Sequence, residues 1–360
     1  MKLHLSTLLG IVCLLFTGIM QSYADTTSPS TLLWYSQPAK CWLEAMPLGN
    51  SRMGAMEYGG TEWEELQLNE ETFWSGSPHN NDSKTSASRL DEVRQLIFQD
   101  QEEKAAEIIN KDFVVGPHGM RYLSLGSMKL HFEGHDKAAN YYRDLNLETA
   151  TATTSYEVEG VKFSRTTFAS IPDGVIIMRI NVDKANAINF SLGYTSEMEY
   201  KVGVKKNTLT ATIKNEGQEG VPAGLTAQCV IKVLTDGKVI GGKENISVEN
   251  ASGATIIISA ATNYINYHNI SGNALKKAEA LVAKATKKGY NNILSDHLKA
   301  YKAQFDRVRL TLPASKASKS ETTKRVADFA VNGNDQALVA LMFHFGRYLL
   351  ISSSQPGGQA

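Results

Sequence analysis

Apolar and polar positions alternate in short runs through most of the chain, with a different period near its two ends. Met53, Ala55 and Glu57 alternate with Gly54, Met56 and Tyr58, and Leu66 and Leu68 alternate with Glu65, Gln67 and Asn69. Both runs have the two-residue period of a strand. Strands are expected to begin near Thr31, and from residue 122 to about 265 the same signal recurs. It runs through Ser127-Met128-Lys129-Leu130-His131-Phe132, through Ser155-Tyr156-Glu157-Val158 and through Gly160-Val161-Lys162-Phe163-Ser164-Arg165. Residues 175–182, 229–234 and 254–261 are almost wholly apolar, as interior strands are. Turn signals recur about every 8–12 residues, and Glu159-Gly160, Asp173-Gly174 and Asp236-Gly237 read as hairpin turns. The pattern predicts a mainly β chain, a large two-sheet antiparallel β-sandwich.

Helical spacing interrupts this signal in two places. Leu90, Val93, Ile97, Ala105 and Ile108 recur at helical intervals, with Ser88 a capping signal, so a helical insertion is expected over residues 86–112. At Asn273 the period changes for good. Leu275, Ala278, Leu281, Val282 and Ala285 make one amphipathic helix, stopped near Gly289, and Ile293, Leu294, Leu298, Tyr301 and Phe305 make another. Residues 305–313 read as a short strand, and residues 314–323 as a Ser/Lys/Thr-rich linker. A last helix carries Leu338, Val339, Leu341, Met342, Phe343, Leu349, Leu350 and Ile351, which cannot all point one way. A helix apolar on more than one face expects burial among other helices, so the chain is expected to stop inside a domain. The expected organisation is a signal peptide (1–24), a sandwich domain (25–270), a helical linker (271–322) and the opening of a further helical domain (323–360).

Composition changes this picture little. The 360 residues are 42% hydrophobic and 21% charged, and 37 basic residues offset 37 acidic ones, so there is no electrostatic case for nucleic acid or an acidic membrane surface. Met1-Lys2-Leu3-His4, an apolar run over residues 8–20 and Ser22-Tyr23-Ala24 form the pattern of a secretory signal cleaved near Ala24. A secreted or periplasmic chain is expected, with no stable membrane insertion after cleavage. Only Cys41 and Cys229 would then remain, too few for a disulfide scaffold, either paired or as buried free thiols.

Candidate chemistry gathers over residues 47–78. There Asn69-Glu70-Glu71-Thr72-Phe73-Trp74-Ser75-Gly76 brings amide, carboxylate and indole groups onto a Gly-bounded loop. Sugar hydroxyls need paired donors and acceptors, and a pyranose face stacks on an aromatic ring. The alternative is a hairpin that only packs against its neighbours. Asn69, Glu70, Trp74, Arg52 and His118 are the candidate contacts, with Arg121 nearby. Glu70 is expected to line or support a sugar site rather than to protonate anything, and the cluster Glu62, Glu64, Glu65, Glu70 and Glu71 otherwise reads as a solvated face. His131, Glu133 and His135 have ligand-like spacing on a strand, but Gly134 is expected to turn the chain between them. No metal or other cofactor is expected.

The same stretch resembles the N-terminal region of glycoside hydrolase family 95, which holds α-L-fucosidases and α-L-galactosidases. Leu33-Trp34-Tyr35, Pro38-Ala39-Lys40, Trp42, Glu44-Ala45, Pro47-Leu48-Gly49-Asn50, Gly54-Ala55-Met56, Gln67-Leu68-Asn69-Glu70 and Trp74-Ser75-Gly76 carry the resemblance, and Phe345-Gly346-Arg347-Tyr348-Leu349-Leu350-Ile351 resembles the first helix of the family's (α/α)6 barrel. The resemblance implies inverting hydrolysis of terminal fucose or L-galactose on glycans. It places the acid and the water-activating residues on the barrel, at positions that match nothing in this sequence. No catalytic residue is therefore expected in this chain. The alternative is a non-catalytic carbohydrate-binding or scaffold module.

Overall fold

A computed structural model of the chain describes residues 28–116 and 119–358. The expected signal peptide and His118 lie outside the described residues. The strands are β1 (Leu32–Tyr35), β2 (Met46–Gly49), β3 (Met53–Glu57), β4 (Trp63–Glu70), β5 (Gly126–His131), β6 (Ala139–Asn146), β7 (Thr151–Val158) and β8 (Val161–Ser170). They continue as β9 (Val175–Val182), β10 (Ile188–Thr195), β11 (Tyr200–Lys205), β12 (Thr208–Lys214), β13 (Thr226–Thr235), β14 (Lys238–Gly241), β15 (Ile246–Ala251) and β16 (Gly253–Thr262). Two helices, α1 (Ser86–Phe98) and α2 (Glu102–Ile108), form the insertion between β4 and β5. Four more follow the strands: α3 (Ala274–Lys288), α4 (Tyr290–Phe305), α5 (Thr322–Asn332) and α6 (Gln336–Ser353).

The strands build two antiparallel sheets, one of nine in the order β1-β6-β7-β8-β9-β16-β13-β12-β11 and one of seven in the order β14-β15-β10-β5-β4-β3-β2. The expected alternation holds in β4, whose Leu66 and Leu68 are fully buried while Glu65, Gln67 and Asn69 are turned outward. Inward residues of both sheets, such as Leu66, Met128, Leu192, Met178, Ile231 and Ile256, form one continuous core. The nine-stranded sheet is covered on its other face too. There Phe168, Val175, Ile177, Val230 and Ile257 pack against Ala278, Val282 and Ala285 of α3 and Ile293 of α4. Double coverage explains why β16 is buried along nearly its whole length, which removes the period-two signal from its sequence. Asn273 caps α3, its Oδ1 accepting from the Lys276 N–H at 2.9 Å, and Gly289 ends the helix at φ +78°.

Four expectations are corrected. Asp236-Gly237 is not a hairpin turn: β13 and β14 belong to different sheets, so this turn carries the chain across the sandwich. Residues 305–313 form no strand; Leu310 instead meets the His344 ring of α6. The predicted linker holds the start of α5, whose buried side is made by Thr322 and by Arg325, paired with Asp335 at 2.8 Å. A helix that buries an arginine gives no apolar period to read.

The fourth correction concerns the acids. Glu64 and Glu70 are not on a solvated face but buried between the sheets, together with Glu57. Arg165, on β8, lies 2.6 Å from Glu64, and its Nη2 also donates to the Gly60 carbonyl. Glu64 accepts further from the Gly59 and Glu65 N–H groups. Glu57 accepts from the Thr167 hydroxyl at 2.9 Å. One arginine neutralises one carboxylate. Burial and the nearby charge of Glu64 then hold the Glu57 carboxyl up at about 8, so it carries the proton.

A pH dependence follows. The ordinary Glu57 value is 4.5 and the folded value about 8. The stabilisation is therefore complete below the lower value and is lost as pH rises through the upper one. Thermal melts between pH 5 and 9 should show the parent losing stability toward the alkaline end. Glu57→Gln, which keeps the neutral form, should give a flatter curve that exceeds the parent at pH 9; parallel curves would contradict this assignment.

Candidate functional site

The polar loop begins where β4 ends. Glu70, 1% exposed, turns its carboxylate back on its own chain and accepts from the Thr72 N–H at 2.8 Å and the Thr72 hydroxyl at 2.6 Å. Burial raises its pKa, opposed by the Thr72 bonds and by Arg52, whose Nη1 is 3.8 Å away. Glu70 thus shapes the turn from beneath.

Arg52 points its guanidinium toward the nine-stranded sheet. Its guanidinium donates to the Ala260 and Gly174 carbonyls and to the Ser259 hydroxyl, bracing the β2–β3 turn against the nine-stranded sheet. Its carbonyl accepts from the Glu71 N–H, so the same residue fixes the loop's first turn.

At the surface the structure brings together Asn69, Trp74 and a residue the sequence reading missed, Tyr122. Trp74 and Tyr122 form an isolated antiparallel bridge, with ring centroids 5.0 Å apart and planes tilted 55°. The Trp74 indole N–H donates to the Glu71 carbonyl at 2.8 Å, and the ring is half-buried. Tyr122 is 46% exposed, and its hydroxyl bonds Asn69. Burial first, then Glu70 and Glu71, push that hydroxyl up to about 12. Arg121 is turned toward Glu216 at 2.6 Å. Tyr122 could have been found only by its pairing with Trp74, which the intervening helical insertion hides from the sequence.

One buried residue holds this surface in place. The Asn215 amide donates to the Trp74 carbonyl at 2.8 Å and the Gly76 carbonyl at 2.7 Å, while its oxygen accepts from the Gly224 and Leu225 N–H groups. All four hydrogen-bonding valences of the side chain are used. Gly76, at φ +76°, turns the loop under Met120.

The helical tail closes on the same end of the molecule. Tyr348 donates to the Pro47 carbonyl at 2.6 Å, and the Ser51 N–H donates to the Ser352 carbonyl at 2.7 Å. A Cβ on Gly49 would come within 2.8 Å of that carbonyl, so Pro47-Leu48-Gly49-Asn50 makes the seat for α6. Past the helix, Gly358 lies against the loop: a Cβ there would meet Glu71 Oε2 at 3.1 Å.

The structure thus combines an antiparallel sandwich, a helical tail docked on the β2–β3 turn and a polar, aromatic loop. The chain belongs to the glycoside hydrolases: residues 33–267 match the glycosyl hydrolase family 65 N-terminal domain, and residues 289–360 match the glycosyl hydrolase family 95 catalytic domain. Alpha-L-fucosidase 2 of Arabidopsis thaliana is 31% identical over 91% of this chain and 42% of its own length. Probable alpha-fucosidase A of Aspergillus niger (strain ATCC MYA-4892 / CBS 513.88 / FGSC A1513) is 25% identical over 87% of this chain and 41% of its own. The chain thus spans less than half the length of these curated relatives. Among solved structures, a putative kojibiose phosphorylase from human microbiome superposes with a TM-score of 0.53 at 9% identity, covering 91% of this chain and 42% of that one. That likeness concerns the fold alone.

Replacing Asn215 by alanine should free the Trp74–Gly76 segment and leave two carbonyls and two N–H groups without their partner. A loss of about 2 kcal/mol is expected in chemical denaturation, with a shift in Trp74 fluorescence before the main transition. Unchanged stability and emission would mean the amide does not hold the loop.

Proposed function

We propose that this chain forms the sandwich, linker helices and opening barrel helix of an α-L-fucosidase-like glycoside hydrolase. The reaction would be inverting removal of terminal fucose or L-galactose from glycans. The observation that carries this reading is the seat of α6. Within the segment that matches the catalytic family, Ser352 accepts from the Ser51 N–H and Gly358 lies against Ser51 and Glu71, on the loop that carries Trp74. The loop of residues 69–76 then lies at the rim of the catalytic site. Asn69 and Tyr122 offer hydrogen bonds to sugar hydroxyls there, and the Trp74–Tyr122 pair offers an aromatic edge. Glu70 and Arg52 act from beneath, as positioning residues. His118, close to Tyr122 in sequence, remains a candidate contact.

Hydrolysis needs one acid and one water-activating group on opposite sides of the anomeric carbon. Among the described residues, Glu57, Glu64 and Glu70 are sealed inside the sandwich and reach no open cleft. In this reading the acid and the water-activating group are carried by the barrel. The exposed stripe Val339, Met342, Phe343, Leu349 and Leu350 on α6 is assigned to packing against further helices of that barrel. The apolar run of residues 8–20 and the Ser22-Tyr23-Ala24 pattern fit secretion, where glycan substrates are met. Among the described residues no helix is long and apolar enough to cross a membrane.

Two measurements test this. The purified chain incubated with 2'-fucosyllactose should release no fucose above a blank, and reproducible turnover would overturn the division of labour. Calorimetry with the same sugar separates rim from scaffold. If the loop binds unaided, Trp74→Ala and Tyr122→Ala should each weaken affinity about tenfold. If neither variant changes a measurable affinity, the loop only braces the barrel.

A further inference from the structure

We infer a second carbohydrate-binding surface, centred on Trp63 on the outward face of the seven-stranded sheet. It is independent of the fucosidase reading. Trp63 opens β4 and Asn69 lies six residues further along the same face, so along the strand the two stand about 20 Å apart.

Trp63 is 58% exposed. One face of its indole rests on the His131 imidazole, with centroids 4.1 Å apart and planes 21° from parallel. Trp63 and His131 are direct cross-strand partners, and the row continues through Ser191 on β10 and Ser247 on β15. Three strand spacings make this row about 14 Å long. Beyond His131 the row lies in a groove of about 190 Å³, edged by Glu133 and Asn189 and floored by Ser191 and Ser247. Phe190 and Val248 contribute to the floor, but their side chains are buried in the core. Glu62 stands 3.7 Å from the His131 ring.

The bland explanation is a lone surface tryptophan, common on any protein. It accounts for the ring but not for what lies in line with it. Imidazole and hydroxyl groups extend from the ring along one cross-strand row, with the Asn189 amide and Glu133 carboxylate beside it. A neutral oligosaccharide has the matching chemistry: apolar ring faces for the indole and hydroxyls that both donate and accept. Glu62 and Glu133 disfavour sulfated or uronic chains and nucleic-acid phosphates. A protein partner would need a broad apolar patch, whereas the neighbouring outward positions are Glu65, Lys129, Gly193 and Thr195, and Ile240 of β14, which pairs with Ser247, adds a single exposed aliphatic side chain. The row spans more than one sugar ring, so the ligand is a chain segment rather than a terminal unit.

The test titrates the purified chain with cellotetraose, xylotetraose and mannotetraose, following tryptophan fluorescence and calorimetry. At least one should bind saturably. Trp63→Ala should weaken it tenfold or more, without altering the melting temperature, because the ring is outside the core. Ser191→Arg, which fills the groove, should weaken it similarly and serves as the second variant. Trp74→Ala should leave it unchanged. The inference fails if none of the three sugars binds, if binding survives both Trp63→Ala and Ser191→Arg, or if Trp74→Ala abolishes it. Failure of the loop to bind 2'-fucosyllactose would not affect this result.

Discussion

The sandwich depends on arginines that cross between its sheets. Arg165 reaches from β8 to Glu64 and the Gly60 carbonyl. Arg143 reaches from β6 to the carbonyls of Gln37 and Glu44, at 2.8 and 2.9 Å, in the segment that enters β2. Arg52 crosses the other way, to the carbonyls and hydroxyl of residues beside and within β16. Hydrophobic burial between the sheets is strong but non-directional, and would tolerate sliding. A buried guanidinium does not, because each unmade bond leaves a charge stranded in low dielectric. These residues therefore set how the sheets are placed on one another, and hence where the loops at their ends meet.

The functional reading rests on that placement. The loop carrying Trp74 is tied through Asn215 to the nine-stranded sheet and through Arg52 to the turn that receives α6. A surface built this way has little freedom to adapt, which suits a rim that must present the same edge to each substrate. The outward face around Trp63 is equally rigid but has no part in seating the helices. The fold thus offers two separate patches with sugar-compatible chemistry, set toward opposite ends of β4, one near the segment that seats α6 and one remote from it.

Much of the architecture was legible in the sequence, because half-buried strands advertise themselves. Leu66 and Leu68 against Glu65 and Gln67 gave both the strand and its inner face, and Gly289 marked a real helix end. Glu159-Gly160 is a tight hairpin with both residues at positive φ, as its sequence demands. The failures share a cause. Glu64 reads as solvated because its partner, Arg165, lies about a hundred residues away and no local pattern discloses it. The helix α5 was missed for the same reason, since its core-facing group is Arg325. Strand-like alternation over residues 305–313 was real, but edge pairing needs a free neighbour, and that segment lies along α6 instead. Of the site, Asn69, Glu70, Arg52 and Trp74 were identifiable as a group, but only the coordinates separate the two that brace from the two that face outward.

The position of β16 has a consequence for how the chain acquires its shape. This strand lies in the middle of the nine-stranded sheet, between β9 and β13, yet it is the last of the sixteen to be made. Until it is available, the β6–β9 and β11–β13 blocks each present a bare interior edge to water. Such edges invite pairing with other chains. Assembly on the ribosome would thus stay provisional until residues 253–262 emerge, and the sheet would close in one late step rather than strand by strand.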